Sequence, residues 1–363
     1  MPGLFLMLGA LFFILDYKIK NSYLRFLYII YYIWLVGIIV RGFAFNFSFI
    51  KSFFFEGVGM LYFTPLFVLY PLNFTHLKKL FDVIFIMGIL YILYNLVFIN
   101  DLKGGSVNSK GMVEVFSDLS FPSGFILLTF AYHKPKKQIV ALTAVLFISL
   151  MALINARRGL LLMYSNMFIV SFIMFTYFSP KKFMLIYLAI LTGLLALLYA
   201  SGVYKARSSK IFGSIVDRGT EDTRTVVELY FYDDMKEKDW IIGRGINGEY
   251  FCPDIEENQL TNYRSNIETG YLQNILKGGL VSLGLFVLIA VPAIFKGLFY
   301  SKNVLSKAAA FWILFAIINS YPTIFEGFTL KFILVWISIG ICYSKDIREI
   351  KEKDMKSIFL QIP

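Results

Sequence analysis

"INARRGLLLMYSNMF", Ile154 to Phe168, sets two adjacent arginines, Arg157 and Arg158, between two long apolar runs. Arginine at the centre of a bilayer costs roughly 2.5–3.5 kcal/mol on insertion scales, so such a pair belongs at a membrane surface. The rest of the chain shares this pattern of apolar runs broken by short charged connections. Of 363 residues, 58% are hydrophobic and 16% charged, and mean hydropathy is +0.68. A soluble globular chain carries nearer a quarter charged residues. The composition therefore predicts an all-α, polytopic transmembrane protein. Basic connections between spans account for the net charge of +11 without nucleic acid, which is not an expected partner.

Runs long enough to cross, at about 17–25 residues each, fall at roughly 2–17, 24–41, 57–73, 80–100, 119–133, 138–155, 159–178, 183–203, 273–295, 307–322 and 327–344. That makes about eleven spans, with one large segment between the eighth and ninth. Alternate connections, "YKIKNSYLR", "THLKKL", "HKPKKQ", "SPKK" and "FKGLFYSKNVLSK", and the tail "KDIREIKEKDMK", are rich in lysine. The positive-inside rule places these in the cytoplasm. The expected organisation is eight spans over 1–203, an extracytoplasmic loop over 204–266, three spans over 267–344 and a cytoplasmic tail over 345–363. The apolar N-terminus has no basic region before Leu4 and predicts no cleaved secretory signal. Cys252 and Cys342 lie in unlike surroundings and predict no disulfide.

On this topology Arg157 and Arg158 face outwards, where the rule expects few arginines. They either anchor their span by snorkelling or present a planar fork to phosphate. In the large loop, "TEDTRTVVELYFYDDM" sets Val226, Val227, Tyr230 and Phe231 at helical spacing, which predicts an amphipathic helix. Arg224 in its first turn is disfavoured by the helix dipole. Glu221 and Glu228 are spaced to neutralise it, and the alternative is an anionic ligand. Arg207, Arg218, Arg244 and Arg264 share the same segment. "FNFSFIKSFFF" near residue 45 reads as an interfacial segment or a crooked start to the next span.

"GRGINGEY" matches the G-x-G-x-x-G spacing of a dinucleotide fingerprint through Gly243, Gly245 and Gly248, but it lacks the flanking strand and helix, so a tight turn is the better reading. Ser265 and Glu268 have the S-x-x-E spacing of a capping box, starting a helix at the membrane surface. Glu268 would then also lie at the outer mouth beside arginines, as a candidate general base. The histidines, His76 and His133, are cytosolic on this topology, and no outer cluster has metal-ligand spacing. A transporter would bury ionisable residues mid-span, whereas Asp82 and Lys331 lie near span ends.

Three stretches in order, "NARRG", Arg224 with "WIIGRGI" (Trp240–Ile246), and "ETGYLQNILKGGL" (Glu268–Leu280), resemble the bacterial O-antigen polymerase (Wzy-type) family and the related O-antigen ligases. The resemblance covers about residues 150–295. It implies a GT-C-like helical glycosyltransferase of the bacterial inner membrane, joining repeat units carried on undecaprenyl pyrophosphate at the outer face. Neither metal nor any other cofactor is expected. The implied partners are the undecaprenyl-pyrophosphate-linked oligosaccharide, the bilayer, a chain-length regulator and a flippase. Arg158, with Arg157 beside it, and Arg224 take the pyrophosphate-binding places; Arg244 and Arg264, from the cationic surface of the outer segment, are further expected substrate contacts. Tyr271 would orient the acceptor and Glu268 would be the base. Ligases carry a histidine where this chain has Glu268, which favours polymerase; a ligase-like transferase or a polysaccharide flippase is the alternative.

Overall fold

The computed structural model describes residues 18–55, 59–102, 107–155, 157–178, 223–253 and 262–361. Ser22–Arg41 forms α1, started by Asn21, whose side chain accepts a hydrogen bond from the Leu24 amide at 2.9 Å. This satisfies one of the donors that every helix start leaves unpaired. Leu24, Leu27, Tyr28, Tyr31, Leu35 and Ile38 make the buried stripe. On the other side Phe26, Ile33 and Val40 are 65, 67 and 67% exposed. A helix that is apolar all round needs an apolar solvent.

Among the described residues, six helical stretches are long and apolar enough to cross a membrane. They are α1, α3 (Phe74–Val97), the stretch Gly111–Leu128, α7 (Pro135–Ile154), α8 (Arg158–Phe178) and α11 (Gly270–Phe299). The chain is a helical, membrane-embedded protein.

Several expected spans take a different form. The run at 57–73 holds a ten-residue 3-10 helix, Met60–Leu69, with Pro65 inside it. Proline lacks the amide that an α-helical ladder needs, and ten residues are too few to span. The run at 119–133 moves towards the N-terminus: α5 (Val107–Ser120) and α6 (Ser123–Leu128) meet at Pro122. The runs at 307–322 and 327–344 become α12 (Val304–Asn319) and α13 (Leu330–Tyr343), of 16 and 14 residues. "FSFIKSFFF" is a separate helix, α2 (Phe47–Phe55). The expected spans 2–17 and 183–203 lie outside the described residues.

The chain divides into two compact units: residues 1–71, 222–300 and 312–348 in the first, and 72–221, 301–311 and 349–363 in the second. In the first unit α11 packs against α1 and α13, and α13 against the 3-10 helix. Helix α11 breaks at Gly279, whose φ of 70° and ψ of −179° are non-helical. A break inside a span frees carbonyls that must find partners within the protein. Here the "GRG" turn supplies them: the Arg244 amide donates to Leu276 O at 2.7 Å and the Gly245 amide to Lys277 O at 2.9 Å. Trp34 Nε1 takes Gly278 O at 3.0 Å. Gly243 and Gly245 have φ of 69° and 82°, so the expected tight turn exists and plugs the kink of α11.

In the second unit α7 packs against α3, α5, α6 and α8, and α6 against α8. C-terminal α15 (Glu352–Gln361) closes it: Glu352 accepts from Tyr132 Oη at 2.8 Å and from the Val304 amide at 2.7 Å. Both cysteines are buried and unbridged by a disulfide.

Candidate functional site

The expected amphipathic helix is α9 (Thr223–Asp234), followed by α10 (Glu237–Ile242) and a two-stranded hairpin, β1 (Tyr250–Phe251) and β2 (Tyr263–Arg264). Val227 and Phe231 of α9 join Tyr250, Cys252, Ile267 and Leu276 in one apolar cluster, whereas Val226 is 40% exposed. The cluster fastens α9 onto the first turns of α11. It thereby sets Arg224, at the start of α9, beside the start of α11.

Arg224 Nη2 donates to Glu268 Oε2 at 3.3 Å and to Pro322 O at 3.0 Å. The pairing is with Glu268 across the fold; Glu228, a local neighbour by spacing, accepts instead from Thr269 Oγ1. The expected Ser265–Glu268 capping box does not form. Helix α11 starts at Gly270, with Thr269 as its N-cap residue and no side-chain cap bond. The Thr269 hydroxyl is committed to Glu228, and Glu268 is turned to Arg224. Gly270 packs so closely that a Cβ there would lie 2.9 Å from Ser320 O and 3.0 Å from Thr323 O. The 320–326 connection therefore presses directly on the mouth of α11. Side-chain exposures of 39% for Arg224 and 72% for Glu268 mark an open pair, worth at most about 1 kcal/mol to stability.

The other arginines are differently placed. Arg244, expected on substrate phosphate, is held by the chain itself. Its Nε donates to Asp239 Oδ2 at 2.9 Å, Nη1 to Asp234 Oδ2 and to Glu249 O at 2.7 Å, and Nη2 to Asp234 O at 2.5 Å. Burial disfavours its charge, but the Asp234 and Asp239 hydrogen bonds outweigh this and hold its pKa above the ordinary arginine value. Arg244 is the pin that shapes the "GRG" turn. Arg244→Ala leaves two carboxylates facing an empty place. The side chains are 20–28% exposed, so the expected loss is about 1–3 kcal/mol, short of that for a fully buried pair, and it would show in the melting curve of the solubilised protein.

Arg264 is partly buried in β2, opposite Tyr250. Tyr271 donates its hydroxyl to Ile317 O, so it ties α11 to α12; the expected acceptor-orienting phenol is already engaged. In the second unit Arg157 Nη2 meets Glu114 Oε2 at 2.9 Å, which neutralises one charge of the arginine pair locally. Arg158 opens α8; its side chain lies outside the described positions, as do Arg207, Arg218 and Glu221. Asn155 makes the break before it: its side-chain amide donates to Leu102 O at 2.9 Å and Met151 O at 3.0 Å. Among the described residues no three His, Cys, Asp or Glu side chains gather as a metal site needs.

One further group has no local motif in the sequence. Glu326, in the connection between α12 and α13, is partly buried, and its Oε1 accepts from Asn274 Nδ2 at 3.0 Å. Withdrawal from water pushes its carboxyl up to about 7, with the Asn274 hydrogen bond pulling the other way. Tyr31 of α1, Tyr62 of the 3-10 helix and Tyr271 of α11 lie within its electrostatic reach. Its chain neighbour Phe325 is fully buried. The signal in the sequence is one glutamate between two short apolar runs, "YPTIFEGFTL". Comparison of the chain with protein families, curated proteins and solved structures returns no match.

Proposed function

We propose that this protein is a membrane glycosyltransferase that joins oligosaccharide units carried on a lipid pyrophosphate, the polymerase reading of the sequence. The observation that carries it is the Arg224–Glu268 pair at the mouth of α11, where an apolar span, a guanidinium fork and a carboxylate meet. A polyprenyl tail lies along apolar helices such as α1 and α11, while the pyrophosphate takes the guanidinium. In the absence of substrate Glu268 accepts from one nitrogen of the guanidinium, Nη2; an incoming pyrophosphate, with more charge and two oxygens for the fork, displaces it. Neutralised by Arg224, the lipid pyrophosphate is a good leaving group.

The acceptor hydroxyl needs a base, and two carboxylates flank the mouth, Glu268 and Glu326. Asn319, at the end of α12, is buried, and among the described residues neither atom of its side-chain amide has a partner, leaving a donor and an acceptor for sugar hydroxyls. The large loop facing outwards, the undecaprenyl carrier, and the chain-length regulator and flippase as partners belong to this same reading. A flippase is the second reading, and Glu326 is the observation that favours it, since a carboxyl withdrawn from water among membrane helices is a common mark of transport.

The test is made in cells whose surface polysaccharide depends on this protein. Its depletion should make lipid-linked single units accumulate at the outer face while long chains vanish. Accumulation at the inner face instead would contradict the transferase and support the flippase.

A further inference from the structure

We infer that Glu326 is the group that takes the proton from the acceptor hydroxyl, and that Glu268 serves as the displaceable counter-ion of Arg224. This deepens the transferase reading and rests on it. Their surroundings separate the two carboxylates. Glu268 is 72% exposed at its side chain and already accepts from a guanidinium. Glu326 has one oxygen fixed by Asn274 at 3.0 Å, and among the described residues no lysine or arginine pairs with it, so its second oxygen remains to accept a hydroxyl. Its connection also carries Pro322, whose carbonyl holds Arg224 at 3.0 Å, so the base and the anion anchor are built on one short segment. Asn274 stands one helical turn beyond Gly270, placing the Glu326 contact deeper along α11 than the exposed Glu268.

The chemistry balances with these groups. The acceptor hydroxyl gives its proton to the Glu326 carboxylate as its oxygen bonds to the anomeric carbon of the donor sugar. The bond from that carbon to the pyrophosphate oxygen breaks, and the electron pair leaves with the lipid pyrophosphate held by Arg224. Protonated Glu326 then returns the proton to water. A base works best when its pKa lies near the working pH, and a carboxyl raised to about 7 meets that condition.

The test uses the full chain reconstituted in lipid nanodiscs, with a synthetic lipid-pyrophosphate oligosaccharide as donor and acceptor, and kcat measured from pH 5.5 to 9. Wild type should show a limb rising through about pH 7. Glu326→Gln should lower kcat by about 10²–10⁴-fold and abolish the limb. A glutamine can keep the Asn274 contact and carries no charge to desolvate. The variant should therefore melt at or above the wild-type temperature at pH 8, which separates lost chemistry from lost folding. Asn274→Leu, which removes the donor favouring the carboxylate, should move the limb to higher pH. Glu268→Gln should keep the limb and change mainly the KM for the donor. A Glu326→Gln variant transferring within threefold of wild type overturns this assignment alone. So does loss of the limb in Glu268→Gln, or an unmoved limb in Asn274→Leu. A wild type that transfers nothing overturns the transferase reading itself.

Discussion

Arg224→Lys should reduce glycan transfer roughly 10²–10³-fold, the loss expected when one preorganised donor to a developing anion is removed, while the melting temperature stays at the wild-type value. Lysine keeps the charge but offers a compact ammonium on a flexible stem, unable to bind two phosphate oxygens in a plane. In the structure Nη2 makes both contacts, to Glu268 and to the Pro322 carbonyl; the second phosphate oxygen falls to the other nitrogens of the fork, which lysine lacks. Stability should hardly move, because the pair is open to solvent and worth at most about 1 kcal/mol. The measurement is the initial rate of chain extension by reconstituted protein beside its melting curve. Normal extension by the lysine variant would remove Arg224 from the anion site. A melting loss matching the activity loss would make Arg224 a structural residue.

Gly279→Ala should be the most damaging single methyl in the first unit. The added Cβ would lie 2.1 Å from Ile241 O, and the φ of 70° with ψ of −179° belongs to a region essentially reserved for glycine, costing roughly 1–3 kcal/mol for any other residue. Relieving the clash pulls the "GRG" turn out of the kink and forfeits the Arg244 and Gly245 amide bonds to Leu276 and Lys277, about 1 kcal/mol each. The control is Gly284→Ala in the same helix, where a Cβ meets nothing within 4 Å and helix propensity improves. A large fall in melting temperature for the first and none for the second is the expected result. Equal behaviour of the two would mean that the kink is not held by the turn.

The sequence is legible where a single physical rule dominates. The apolar runs at 24–41, 80–100, 138–155, 159–178 and 273–295 became long helices, and the spacing of Val227 and Phe231 became the buried face of α9. Reading fails where a distant segment decides. Ser265 and Glu268 have capping-box spacing, yet Thr269 is engaged by Glu228 from 41 residues away, and the 320–323 connection crowds Gly270. A local pattern cannot foresee either neighbour. The "GRG" glycines signalled a turn, but not that it plugs a kink at Gly279. Arg244 looked like its fellow arginines because Asp234 and Asp239 reach it only after the chain has turned. Glu326 was invisible for the same reason: its partner Asn274 lies 52 residues away, and only packing withdraws it from water.

The most direct measurement counts chemistry against transport in sealed proteoliposomes holding the purified protein and a lipid-pyrophosphate oligosaccharide. New glycosidic bonds and free lipid pyrophosphate are quantified together, alongside the sidedness of the unreacted lipid. The transferase account predicts one lipid pyrophosphate released for every bond formed, with the lipid keeping its original side, and loss of both products in Arg224→Lys. Movement of the intact lipid-linked glycan across the bilayer, with no new bond and no pyrophosphate released, would contradict it.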